Sequence, residues 1–170
     1  MRFSSLFFIL LMSLCLACCK STNEIYIVRH AEKGMLPVYD PPLTDEGKQR
    51  AELLRDILKD KSIKAIFSTK TTRTTETAMP LSKAINVPVE NYGVDTLNRF
   101  LQRVIGLKKN ALIVGHSNTI VPMLDGLALP HHITTIPDSS YNNIFILKVK
   151  NRKPVKIIET TFEALAPPVK

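Results

Sequence analysis

The chain has 170 residues, 45% of them apolar and 22% charged, with 23 Lys+Arg against 15 Asp+Glu and a formal net charge of +8. That length suits one ordinary domain and is too short for two, and sparse aromatics (6%, no Trp) call for an aliphatic core. The lysines are scattered (Lys48, Lys59, Lys64, Lys83 and Lys148 among them) with no interleaved aromatics, so the basic balance reads as a solvated surface and not as a nucleic-acid interface.

The first segment stands apart. Arg2 is followed from Leu6 by the apolar run LFFILLMSLCLACC, which stops at Lys20-Ser21-Thr22-Asn23. A charged start, a short apolar stretch and small residues near its end have the shape of a secretory signal. An uncleaved membrane anchor is the alternative. All three cysteines, Cys15, Cys18 and Cys19, lie here, so none is left for a disulfide or metal site further on. The cluster resembles a bacterial lipoprotein cleavage site, with Cys18 after Ala17, or else Cys19, as the lipid acceptor. Several acyl chains would hold a domain stably, whereas one binds marginally. The expected division is a signal peptide over 1–18, a short linker over 19–23, one domain over 24–163 and a loose tail over 164–170. The expected location is the periplasm or cell envelope.

Glu24-Ile25-Tyr26-Ile27-Val28 predicts a buried strand ending at Arg29-His30. Gly34, Pro37, Pro41 and Pro42 mark a loop. Thr44 before Asp45-Glu46 predicts a helix N-cap, and Ala51, Leu54 and Leu58 continue at helical spacing to about Asp60. Ile63 to Phe67 is a second strand ending at Ser68-Thr69. Thr71 to Ile85 predicts a helix with a kink or break at Pro80. Val87-Pro88-Val89 suits an edge strand, and Leu97 to Leu107 a third helix. Ala111 to Val114 is a buried strand that stops at Gly115-His116-Ser117. A fourth helix is expected over Asn118 to Leu129, and a closing strand pair over Asn143–Val149 and Val155–Thr160. Strands alternating with helices predict a single-domain α/β/α sandwich with a mostly parallel sheet.

Open α/β sheets bind ligands just past the carboxyl ends of their strands. Three predicted strands end in Arg29-His30, in Ser68-Thr69 with Arg73 a turn later, and in Gly115-His116-Ser117. Two histidines and two arginines converge if those strands are neighbours, and helix N-termini near Thr71 and Ser117 would add backbone N–H donors.

Arg29-His30-Ala31-Glu32, Leu43-Thr44-Asp45-Glu46-Gly47, Ser68-Thr69 with Arg73-Thr74 and Thr77-Ala78, and Val114-Gly115-His116-Ser117 follow one another in the order found in the histidine phosphatase superfamily, the phosphoglycerate-mutase-like proteins. The chain resembles the short phosphohistidine-phosphatase-like branch in size. The resemblance implies that His30 is the nucleophile that becomes phosphohistidine, that Arg29 and Arg73, with Ser117, bind the phosphoryl group, and that His116 stabilises the transition state. It implies no metal or other cofactor, and His131-His132 match no block of the family. A phosphoryl group in transfer spreads charge over three oxygens, which suits guanidinium donors. The nucleophilic imidazole must be neutral; two nearby guanidiniums would lower its pKa, and a backbone carbonyl would fix its tautomer.

The leaving group needs a proton. Glu90 and Asp95 are the carboxylates between Ala78 and His116; Glu90 is the candidate donor, with Asp95 and Glu32 as the others. So few residues between the second and fourth strands leave room for no large cap, which predicts an open pocket for broad phosphomonoesters or protein-borne phosphate. The expected partner is thus a phosphorylated small molecule or phosphoprotein. A phosphoglycerate mutase-type phosphotransferase and a non-catalytic, surface-anchored phosphate-binding protein are the alternatives.

Overall fold

The computed structural model describes residues 22–167. The expected signal peptide and the acceptors Cys18 and Cys19 lie outside them.

Strand β1 (Thr22–Arg29) carries Ile25, Ile27 and Val28 at 0% exposure, so it is covered on both faces, as its unbroken apolar run demands. It begins two residues earlier than expected. Thr22 and Asn23, placed in a linker by sequence, pair with Lys150 and Val149, and Asn23 donates to the Lys109 carbonyl. Helix α1 (Asp45–Leu58) opens at Thr44, whose hydroxyl accepts from the Gly47 N–H at 3.1 Å. Gly47 is obligatory there, because a Cβ would stand 2.2 Å from the Glu32 carbonyl oxygen. The first turn of α1 is thereby pressed against the segment that follows β1.

Strand β2 (Ile63–Ser68) leads to helix α2 (Thr72–Ile85). Of the kink or break expected at Pro80, the break does not occur and helix α2 runs on through it; Ala78 and Leu81, on either side of the proline, are both fully buried and hold the helix to the core. Strand β3 (Val89–Asn91) lies at the sheet edge, with Pro88 just outside it. Helix α3 (Leu97–Gly106), strand β4 (Asn110–Gly115) and helix α4 (Ser117–Asp125) follow. Helix α4 stops four residues earlier than the apolar pattern suggested. Gly126, the residue after it, packs so closely on Asn98 that a Cβ would stand 2.3 Å from the side-chain oxygen, and Ala128 has φ of 52°. Strands β5 (Asn143–Lys150) and β6 (Lys153–Thr161) form a hairpin. Its two-residue turn, Asn151 and Arg152, has φ of 52° and 63°, the primed geometry that matches strand twist. Lys153 and Pro154, expected in the turn, belong to β6, and the short helix α5 (Phe162–Leu165) takes up the start of the expected tail.

The sheet order is β3-β2-β4-β1-β5-β6, with β3, β2, β4 and β1 mutually parallel and β5 and β6 antiparallel. One apolar cluster joins α3 and α4 to one face of the sheet, and a second joins α1, α2 and α5 to the other. The result is a three-layer α/β/α sandwich, as expected. Arg29 is level with Gly115, and Ser68 with Val114. That register brings the chain segments after β1, β2 and β4 to one edge.

Candidate active site

His30 follows β1 directly. Its N–H donates to the Gly115 carbonyl at 2.9 Å, which ties it to the end of β4. The ring is 3% exposed, and its Nδ1 lies 2.8 Å from the Ala31 carbonyl oxygen. A carbonyl only accepts, so Nδ1 carries the proton and Nε2 keeps its lone pair. The Ala31 N–H donates to Thr77 Oγ1 at 3.0 Å, and Thr77 donates to the Arg73 carbonyl. One threonine of α2 thus fixes the backbone beside the nucleophile candidate.

His116 caps α4. Its N–H donates to Thr119 Oγ1 at 2.9 Å, and its Nε2 lies 2.9 Å from Thr69 Oγ1, just past β2. Thr69 is held in turn by Thr74, which also bonds the Thr69 and Thr71 carbonyls. The His30 and His116 rings meet edge to face, with centroids 5.3 Å apart. Gly115 leaves room for Thr119 and Tyr92 beside the end of β4, since a Cβ there would lie 2.7 Å from both of their hydroxyl oxygens.

Burial is the largest influence on both rings. It pushes the His30 pKa down to about 3, opposed by the Ala31 contact and reinforced by Arg29, His116 and Arg73. It pushes His116 down to about 4, reinforced by Arg73 and Arg29. Sequence reasoning put this on the guanidiniums; desolvation comes first, and both act to keep the imidazoles neutral.

The two arginines are held differently. Arg29 is 4% exposed, and its Nη1 donates to the carbonyls of Pro137, Asp138 and Ser140 at 2.8–3.1 Å. Nη2 meets the exposed Asp138 carboxylate at 3.1 Å, and Tyr141 stacks 4.6 Å below the guanidinium. Arg73 lies 3.5 Å from Asp40, whose carboxylate also accepts from the Thr72 N–H and hydroxyl. Those bonds to Thr72, helped by Arg73, hold the Asp40 carboxyl below its ordinary range. The N-terminus of α2, expected to point at a ligand, is therefore occupied by this loop carboxylate. Among the described residues, two buried side-chain polar atoms have no hydrogen-bond partner: Arg29 Nε and Arg73 Nε.

Arg29, His30, Arg73, His116 and Ser117 all line one cleft of about 950 Å³. Glu90 does not. It sits exposed on the edge strand β3, 3.6 Å from Arg103 and outside the lining of this cleft. Asp95 lines the cleft instead. Glu32 lies under α1, where Arg50 Nε and Nη2 grip its carboxylate at 2.6–3.0 Å. His131 pairs with Asp125, and His132 with Glu159. Sequence reasoning passed over Asp40, Tyr92, Asp138 and Tyr141. The last two lie more than a hundred residues from Arg29, in a stretch whose composition says only that it turns.

Residues 25–92 match the family model described as histidine phosphatase superfamily (branch 1). Among curated proteins none matches the chain. Among solved structures, the protein histidine phosphatase SixA complexed with tungstate superposes with a TM-score of 0.67 at 17% identity, covering 84% of this chain and 99% of that one. A mycobacterial glucosyl-3-phosphoglycerate phosphatase gives 0.61 at 12%, covering 82% and 98%. The phosphoglycerate mutase of Plasmodium falciparum gives 0.56 at 22%, covering 87% and 94%. At such identities these likenesses establish the fold.

Proposed function

We propose that this chain of the histidine phosphatase superfamily hydrolyses phosphomonoesters or protein-borne phosphate through a phosphohistidine at His30. One observation carries the reading: the buried, unpartnered N–H groups of Arg29 and Arg73 belong to the two arginines that flank a buried neutral histidine pair. A buried donor without a partner costs about 1–3 kcal/mol, and a role in binding is one of the few explanations such a group has. A tetrahedral oxyanion satisfies both.

In this reading Nε2 of His30 attacks phosphorus as the ester P–O bond breaks. Arg29 and Arg73 donate to the equatorial oxygens, and His116, oriented by Thr69, donates to a third. Water then attacks the phosphorus, the P–N bond breaks, and inorganic phosphate leaves. Of the carboxylates weighed as proton donor for the leaving oxygen, Asp95 has the position in its favour. The bound tungstate belongs to the SixA structure; a phosphate-like oxyanion in a protein of the same fold supports the reading here. The charged, apolar and cysteine-bearing start of the sequence supports export and anchoring through Cys18 or Cys19.

The protein is expected to release inorganic phosphate from 4-nitrophenyl phosphate and to leave 3-phosphoglycerate unisomerised. Isomerisation without phosphate release would favour a mutase. Phosphate binding with no turnover of either compound would favour a non-catalytic protein.

A further inference from the structure

The loop between β1 and α1 presents Met35, Leu36, Val38 and Tyr39 to solvent at 88%, 75%, 80% and 87% exposure. Four large apolar side chains in five residues, nearly fully exposed, are not the scattered apolar surface that every protein has. The loop is also built firmly. The Gly34 N–H donates to the Pro42 carbonyl at 2.8 Å across its base, Lys33 pairs with Leu43, and the Asp40 N–H donates to Pro37. Both stems belong to the candidate site: Lys33 lines the cleft, and Asp40 holds Thr72 and Arg73. The apolar tip is therefore carried between Lys33, which lines the cleft, and Asp40, which meets Arg73.

Charge narrows the occupant. Lys33 and Lys70 are exposed, both line the cleft, and neither amino group meets a carboxylate among the described residues. An occupant that covers the tip and reaches the phosphate site passes two free cations. Chain direction argues against a bilayer. The apolar run Leu6–Cys19 joins β1 at Thr22, at the end of that eight-residue strand opposite His30. At about 3.3 Å per residue, the Thr22 end of that strand, next in sequence to Cys18 and Cys19, stands about 26 Å from its His30 end.

We infer that residues 35–39 dock a phosphorylated polypeptide, with apolar side chains of the partner beside its phosphorylated residue packing on Met35, Leu36, Val38 and Tyr39, and its carboxylates meeting Lys33 and Lys70. This rests on the phosphatase reading and names its substrate class.

The test compares the full chain with the variant M35S/L36S/V38S/Y39S. The substrates are 4-nitrophenyl phosphate and two phosphotyrosyl peptides, one flanked by Leu and Glu, the other by Ser and Lys. All three share an aryl phosphate leaving group, so differences report the flanks. The wild type is expected to favour the Leu/Glu peptide by about tenfold or more in kcat/KM, the scale of one filled apolar pocket. The variant is expected to lose that preference while turning over 4-nitrophenyl phosphate within about twofold of wild type, which also shows that it folds. Equal rates on the two peptides, or a preference that survives in the variant, would overturn the docking role and leave the phosphatase reading standing. No hydrolysis of 4-nitrophenyl phosphate by the wild type would instead sink the reading beneath it. Loop-dependent pelleting with phosphatidylglycerol vesicles, or loop-dependent dimerisation in sedimentation, without peptide preference would give the loop to a bilayer or a second copy and overturn the inference.

Discussion

The two halves of the sheet do different work. The parallel half, β3-β2-β4-β1, delivers His30, Thr69, Arg73 and His116 from strand ends and first helical turns, the histidines and Thr69 held by backbone or threonine bonds and Arg73 meeting Asp40. The antiparallel half contributes none of these. The segment entering β5 instead wraps Arg29, with three carbonyls on one nitrogen and Tyr141 beneath the guanidinium. One half supplies the groups proposed to react, and the other immobilises a cation already supplied by β1. A charge fixed before the substrate arrives needs no reorganisation in the transition state.

This contrast can be broken by unequal effects. Arg73→Ala removes a donor with one weak carboxylate contact and a free Nε, and is expected to lower kcat/KM on an aryl phosphate by about 10²–10³-fold, the scale of one oxyanion donor. A loss under tenfold would show that Arg73 does not reach the phosphoryl group. Next in size is a protonation effect. Ring-carbon NMR on labelled histidine is expected to show His30 and His116 neutral at pH 5, with His30 taking its proton near pH 3 and His116 near pH 4. An unfolded ring protonates near 6.5, so the unfolded chain binds these protons first. The two rings therefore add stability that is full above about pH 6.5 and is lost as pH falls towards those values. A His30 titration near 6.5 would contradict its burial. The smallest effect belongs to the antiparallel side. Asp138→Ala removes an ion pair whose carboxylate is 94% exposed, while the three carbonyls still hold Arg29. It is expected to change kcat/KM less than about threefold and stability by under about 1 kcal/mol in urea unfolding. A larger loss would mean that the side chain, not the wrapped backbone, orients Arg29.

What was legible in the sequence follows the same division. Strand runs ending in Arg29-His30, Ser68-Thr69 and Gly115-His116 are local patterns, and the parallel half could be assembled from them. Thr44 as N-cap is likewise local chemistry. The clamp on Arg29 was not legible, because it is made of main-chain carbonyls, which any residues at 137, 138 and 140 would offer. Asp40 was hidden for a related reason: it caps a helix 32 residues away from a loop whose prolines announce only irregularity. Glu90 was weighed on its position along the chain alone, and the edge strand carries it out to Arg103.

The most direct measurement is to mix the protein with 4-nitrophenyl [³²P]phosphate, quench in alkali within a turnover, and map the label. The account predicts a base-stable, acid-labile phosphoryl group on the peptide containing His30, absent from His30→Ala along with turnover. Undiminished hydrolysis by His30→Ala, or a label on any other residue, would contradict it.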